Sequence, residues 1–255
     1  MRHLFFGSCE RCKMKKTSTL GLMAAALLAS AAANAADLTR YRLAAPPPPP
    51  PPFNWTGIYV GAQAGYSLGH DKTTEYLTGS GAFTGLSFKF NPDGAVAGIH
   101  AGGNYQIGSF VAGLEADAEA AGTRGGFSDA PAPPFNPGGV GRMRIDAQGS
   151  LRGRLGFAID RAMIYGTGGL AVANIKYTFT NPTTGVSEST TRASSGYTLG
   201  GGVSYAITNN LIGSLEYRYT DFGTFRYTST SAFVGLTGSQ HPRSNAARVA
   251  LGYKF

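Results

Sequence analysis

Charged residues recur at alternate positions in four stretches of this chain. "LEADAEA" carries Glu115, Asp117 and Glu119; "SLRGRLGF" carries Arg152 and Arg154; "LEYRYTDF" carries Glu216 and Arg218; "RVALGYKF" carries Arg248 and Lys254. A spacing of two places such residues on one face of a strand and their neighbours on the other. Carboxylates and guanidinium groups brought together could exchange protons with a substrate, or could pair with one another. Four acids against five bases is a nearly balanced set, which favours pairing within a confined space. A nucleophilic site would need a base and an orienting group beside one hydroxyl. Ser and Thr are too common here to single one out, so the sequence predicts no catalytic residue and no enzyme.

Two other motifs carry little. Gly166-Thr167-Gly168-Gly169-Leu170-Ala171 has the spacing of a dinucleotide-binding turn, but that turn must open a helix. "VANIKYTFTNPTTG" follows instead, rich in β-branched residues and then turn-like. Cys9 and Cys12 form a single C-x-x-C with no second pair to complete a metal site. No metal and no cofactor is expected.

The segments around the charges read as strands. In "WTGIYVGAQAGYSLG", Ile58, Val60, Ala62, Ala64, Tyr66 and Leu68 alternate with Gly57, Tyr59, Gly61, Gln63 and Gly65. "AVAGIHAGGNYQI" sets Ala97, Ile99, Ala101 and Tyr105 against His100, Asn104 and Gln106. Leu151, Leu155 and Phe157 alternate with Ser150, Arg152 and Arg154; Leu215, Tyr217 and Tyr219 alternate with Ser214, Glu216 and Arg218. "SGYTLGGGVSYAI" shows the same period. "AMIYGTGGLAVANIKYTF" is a strand whose two faces are both apolar or glycine, so its parity stays open. Eight strands result. Their links alternate between two or three residues (Gly108-Ser109, Asp160-Arg161, Thr208-Asn209-Asn210) and long stretches over 69–94, 121–144, 180–194 and 222–244.

Residues 1–35 have the layout of an export signal: basic residues, the apolar run "LGLMAAALLASAAA", and Ala33-Asn34-Ala35 as a cleavage site, with cutting after Ala35. Met14 is an alternative start. The formal charge of +8 falls to +4 beyond residue 35, because five basic residues and one acid lie before it. So small and scattered an excess predicts no nucleic-acid partner. No cysteine follows the cleavage site, so disulfides do not hold the mature chain. Residues 36–53 contain seven consecutive prolines, Pro46 to Pro52. Such a run favours polyproline II, extends ~22 Å, and reads as a periplasmic tether or a contact for the cell wall. The domain that follows spans 54–255.

Eight alternating strands, short turns at one end and long loops at the other predict an all-β fold: an eight-stranded antiparallel up-and-down transmembrane β-barrel with short periplasmic turns and four long surface loops. A strand of ~11 residues tilted by ~45° covers ~26 Å of membrane. Apolar alternate residues then face lipid, while the charged set (Glu115, Asp117, Glu119, Arg152, Arg154, Glu216, Arg218, Arg248 and Lys254) fills the lumen as an ion-pair network. Glycines of the same parity (Gly57, Gly61, Gly65, Gly200, Gly252) give the long side chains room. Two aromatic belts are expected: Trp55, Tyr105, Phe110, Phe157, Tyr205 and Phe255 at the short-turn end, and Tyr66, Tyr177, Tyr197 and Tyr219 toward the loops.

"WTGIYVGAQAGYSLG", "GSLRGRLGFA", "YGTGGLAVA", "LEYRYTDFG" and the final "RVALGYKF" together resemble the small outer-membrane barrel proteins of alphaproteobacteria, the porin-family or RopB-like surface antigens. The resemblance covers roughly residues 53–255. It implies location in the bacterial outer membrane, among lipid and lipopolysaccharide, and a role as surface antigen or envelope-integrity protein. It also implies that the last strand, through Val249, Leu251, Tyr253 and Phe255, is read by the barrel-assembly machinery. Some such proteins bind haem, and His and Tyr can ligate its iron; His70, Tyr76, Tyr227 and His241 lie in the expected loops. The expected function is a structural barrel with a charged, largely plugged lumen. The alternatives are a narrow passive porin and a haem or other ligand receptor.

Overall fold

The computed structural model describes residues 52–129 and 138–255. The expected signal segment, Cys9 and Cys12, and nearly all of the proline tether lie outside them. Eleven strands form: β1 (Gly57–Leu77), β2 (Phe83–Phe90), β3 (Asp93–Ile107), β4 (Phe110–Asp129), β5 (Gly139–Ile159), β6 (Ala162–Thr180), β7 (Ser187–Ala206), β8 (Leu211–Asp221), β9 (Phe225–Thr228), β10 (Leu236–Gln240) and β11 (Arg243–Lys254). Eight of them, β1, β3–β8 and β11, pair antiparallel with sequence neighbours, and β1 pairs β11 from Tyr59↔Lys254 to His70↔Arg243. That last pairing closes the eight-strand ring, so the part of the wall it forms has no free edge; above the ring, among the described residues, β2 pairs β1 alone and β9 pairs β10 alone.

The short turns stand where the sequence places them. Gly108 supplies the left-handed backbone (φ 59) that begins the β3–β4 turn, and Asp160 does the same (φ 52) between β5 and β6. The long connections, expected as loops, are mostly strand. β1 and β5 each run 21 residues. That is ~70 Å of strand and ~50 Å of height at a 45° tilt, about twice a transmembrane band. β2 continues the line of β3, β9 that of β8, and β10 that of β11.

The three broken strands are interrupted at Pro92, Gly223 (φ 73) and Pro242, and polar bonds pin the breaks to one another. Gly69 donates its N–H to the Pro92 carbonyl at 2.6 Å, and Phe222 to that of Pro242 at 3.1 Å. The Asp71 carboxylate accepts from the Tyr177 hydroxyl at 2.6 Å and the His241 N–H at 3.2 Å. Glu188 fastens the β9–β10 turn by accepting from the hydroxyls of Ser229 and Thr230 and from three successive main-chain N–H groups.

Side-chain direction follows the inside-out pattern. Leu151 is 58% exposed and the adjoining Arg152 1%; Leu215 and Val249 face outward while Glu216 and Arg248 are buried. The strand of open parity is settled by its register with β5 and β7. Met163, Tyr165, Thr167, Ala171, Ala173, Ile175 and Tyr177 point inward; Ile164, Leu170 and Val172 point out.

Two aromatic assignments are corrected. Trp55 is buried (1% exposed) rather than in a belt: its ring turns into the mouth of the barrel, edge-on to Phe53 at 4.9 Å, and its main-chain N–H donates to Gln106 Oε1 at 2.7 Å. Tyr177 also points inward, onto Asp71. Both sit on the inner parity, where amphipathic rings cap a lumen instead of meeting an interface.

A cation on the outward face at mid-height meets hydrocarbon. Leu151→Arg should lower the unfolding free energy in lipid vesicles by about 2–4 kcal/mol. Ser87→Arg, on the outer wall of β2, should change it by less than about 0.5 kcal/mol. Urea titration of both variants checks the pair.

Candidate functional site

The lumen is layered. At the short-turn end Phe53, Trp55, Val111, Ala158, Met163, Tyr165, Ala206 and Ile212 form an apolar cluster. Toward the loops lies a second cluster, built from Phe90, Val96, Met143, Ile145, Ile175, Tyr177 and Phe222 among others. The ion-pair network lies between them, and two further buried acids, Asp71 and Asp221, stand at the loop end. The parity of β4, β5, β8 and β11 brings Glu115, Asp117, Glu119, Arg152, Arg154, Glu216, Arg218 and Arg248 into one buried set. Lys254 stands apart at the mouth, its Nζ 5.1 Å from the Phe53 ring centre. The buried set is therefore four acids and four bases.

Arg152 is the hub. From β5 its guanidinium reaches Glu216 on β8 at 2.8 Å, Asp117 on β4 at 3.1 Å, and Glu115 on β4. It also donates to the Thr167 hydroxyl on β6 at 3.3 Å. Arg218 bridges Glu216 (2.8 Å) and Asp117 (3.1 Å). Arg248 clamps Glu119 with two bonds, 2.8 and 3.0 Å, and Glu119 also accepts from Gln63 and Gln148. Arg154 lies 3.7 Å over the Tyr165 ring and donates to Ser204 at 2.7 Å. The Tyr59 hydroxyl donates to Glu115 at 2.7 Å. Two-pronged, charge-assisted bonds of this kind fix geometry as well as charge.

Glycine makes the network fit. A Cβ at Gly61 would sit 2.6 Å from the His100 ring, one at Gly65 2.9 Å from the Arg248 side chain, and one at Gly202 2.8 Å from the Tyr165 hydroxyl. What space remains is small: a cavity of about 30 Å³ among Tyr59, His100, Glu115 and Arg154, and one of about 10 Å³ beside Asp117 and Arg218. The larger holds about two waters. His100 Nδ1, Asn104 Oδ1 and Arg154 Nε, on residues that line it, have no protein partner, so a water there has donors and acceptors to meet. Tyr59, Gln63, Tyr165 and Thr167 join the network although the charge pattern does not mark them. Tyr59 and Gln63 share the glycine parity of β1 and were legible in that sense; Tyr165 and Thr167 lie on the strand whose parity the sequence leaves open.

The remaining sequence-marked residues are scattered. His70 is exposed on the outer wall. Tyr76 contacts Phe83 and Arg226. Tyr227 lines an upper chamber, and His241 bonds the Asp221 carboxylate at 3.0 Å. The four are not brought into one ligand set. Val249, Leu251, Tyr253 and Phe255 line the outward face of β11, about half to two-thirds exposed.

Removing one partner of a buried ion pair strands the others. Arg152→Ala should cost about 3–5 kcal/mol of stability, whereas Arg144→Ala, which breaks the exposed pair with Asp146, should cost at most about 1 kcal/mol. Urea unfolding from vesicles measures both.

Comparison with known proteins agrees with this architecture. The family model described as "Outer membrane protein beta-barrel domain" matches residues 22–255. The 31 kDa outer-membrane immunogenic protein of Brucella melitensis is 33% identical over 217 residues, covering 80% of this chain and 85% of the relative. The 25 kDa outer-membrane immunogenic protein of Brucella abortus is 32% identical over 245 residues, covering 95% of this chain and all of the relative. Among solved structures, the outer membrane protein OprG of Pseudomonas aeruginosa shares the fold, with a TM-score of 0.51 at 12% identity over 80% of this chain and 98% of that one. The chain belongs to the outer membrane protein beta-barrel domain family, as an outer-membrane barrel of the surface-antigen kind.

Proposed function

We propose that this protein is a structural element of the outer membrane, a surface antigen that contributes to envelope integrity, with a lumen closed to solutes. The observation that carries this reading is Arg152. Its fully buried guanidinium joins β5 to carboxylates on β4 and β8 and to a hydroxyl on β6. A solute passing through would have to part these pairs and then cross two apolar clusters. An eight-stranded barrel has an interior just wide enough for side chains, so no bore is left beside them. The same features weigh against a narrow porin. The scatter of His70, Tyr76, Tyr227 and His241 supports no haem site. The lumen serves pairing, and no residue in it is assigned a catalytic role.

The outer wall suggests the partners. Just beyond the apolar band, Arg124, Arg144 and Lys176 stand directly opposite one another across β4, β5 and β6, and Lys72 opposes Lys89 across β1 and β2. All five side chains are exposed. Like charges in register are unfavourable on their own; the phosphates of lipopolysaccharide at that level would offset them. The exposed apolar row Val249, Leu251, Tyr253 and Phe255 supports a reading as the signal taken up by the barrel-assembly machinery, and the seven prolines in the sequence support a contact with the cell wall.

Two measurements test this. In planar bilayers the native protein should be silent, and Arg152→Ala or Glu216→Ala should raise conductance; steady nanosiemens openings of the native barrel would dismiss the closed lumen. Added lipopolysaccharide should raise the unfolding temperature of the native barrel. That rise should be at least halved when Arg124, Arg144 and Lys176 are all replaced by Gln.

A further inference from the structure

Above the loop-end apolar cluster the strand extensions enclose a chamber of about 440 Å³. This is far larger than the gaps in the lumen, and within the range of cavities that hold small molecules. Its walls carry two aromatic stacks. Phe88 and Phe127 stack with centroids 4.4 Å apart and planes 3° from parallel. Phe179 and Tyr227 stack at 5.7 Å and 10°. Leu77 and Phe83 also line it and are half exposed, so the chamber reaches solvent at that end.

One spot on this apolar wall is polar and unsatisfied. Thr73 and Gln240 are direct partners across β1 and β10, on the inner face. They are 2% and 0% exposed, and both line the chamber. Thr73 Oγ1 and both amide atoms of Gln240 lack any hydrogen-bond partner in the protein. Three orphaned polar atoms at one point are costly unless something else bonds them. Gly238, two residues before Gln240, leaves room for the amide: a Cβ there would lie 2.9 Å from Gln240 Nε2. The charged residue of the lining is Glu75, and the described lining holds no Lys or Arg. An anionic guest would therefore be repelled and left unpaired.

We propose that this chamber is a binding site for a small, uncharged, mainly apolar molecule that lies between the two aromatic stacks and hydrogen-bonds Gln240 and Thr73 through a hydroxyl, carbonyl or amide group. The lumen network below plays no part, so the site stands whether or not the barrel conducts.

1-Naphthol, flat and neutral at pH 7, is a suitable probe. Titrated by fluorescence into the full chain folded in detergent micelles, it should bind saturably at about one per barrel. Binding should weaken at least tenfold in Gln240→Leu and also in Leu86→Trp, whose larger side chain intrudes on the space between the stacks. 1-Naphthoate, with a carboxylate for the hydroxyl, should bind the native barrel at least tenfold more weakly. The heat-dependent gel shift of each variant reports folding; should Gln240→Leu fail it, Leu86→Trp and the naphthol–naphthoate comparison decide. Unsaturable uptake equal in the native barrel and Leu86→Trp would be micelle partitioning and would overturn the site. Equal binding of naphthoate would overturn the neutral-guest assignment, and unchanged binding in folded Gln240→Leu would remove Gln240 from it.

Discussion

Closure of the hydrogen-bonded ring between β1 and β11 is the constraint on which the rest depends. In hydrocarbon an unpaired backbone group costs several kcal/mol, so a sheet can cross a membrane only if it has no edge. Once the sheet is closed, alternate side chains have two destinations, acyl chains or lumen. The outward set is consequently Ile58, Leu114, Leu151, Leu215 and Val249, and every charge in the spanning region is sent inward. A soluble barrel would reverse both assignments.

Charges sent into so narrow a space must find one another. The lumen meets that demand with equal numbers of acids and bases, two-pronged arginine contacts, and neutral donors such as Tyr59, Gln63 and Gln148 for the oxygens left over. Ion pairs of this sort add little net stability compared with apolar packing of equal volume, but they penalise any rearrangement that parts them. They sit between two apolar clusters, so the network is sealed at both ends by side chains of the barrel itself. The upper chamber has the opposite character: aromatic walls, few polar groups and ample volume, above the level where strands must satisfy lipid.

The eight strands of the closed ring, the short turns and the face of nearly every transmembrane residue were readable from period-two alternation. So were the eight members of the ion-pair set, since a charge flanked by apolar neighbours at that spacing has one face to occupy. The strand extensions were not readable. Beyond the membrane the outer face of a strand meets water while the inner face mixes aromatic rings with polar groups such as Thr73 and Gln240, so the alternation of the membrane band is not continued, and segments such as 69–94 look like loops although β1 and β2 occupy most of them. Trp55 was misplaced for a different reason. It lies just ahead of β1, on the parity of Tyr59 and Gln63, but its ring suits an interface as well as it suits a plug.

The sequence by itself determined which residues share a face, because the pleat of a strand leaves no other choice, and it therefore determined that lipid lies outside and charge within. It also determined that ion pairs must form, since acids and bases balance on that inner face. Only the tertiary structure decided which acid meets which base. Arg152 and Glu216 are 64 residues apart, and Arg248 and Glu119 129 apart. The register and curvature of the closed ring set their separation, and no local pattern encodes a distance across a barrel. The parity of β6 was decided in the same way, by the strands on either side of it, as was the meeting of Thr73 with Gln240 beneath an aromatic chamber.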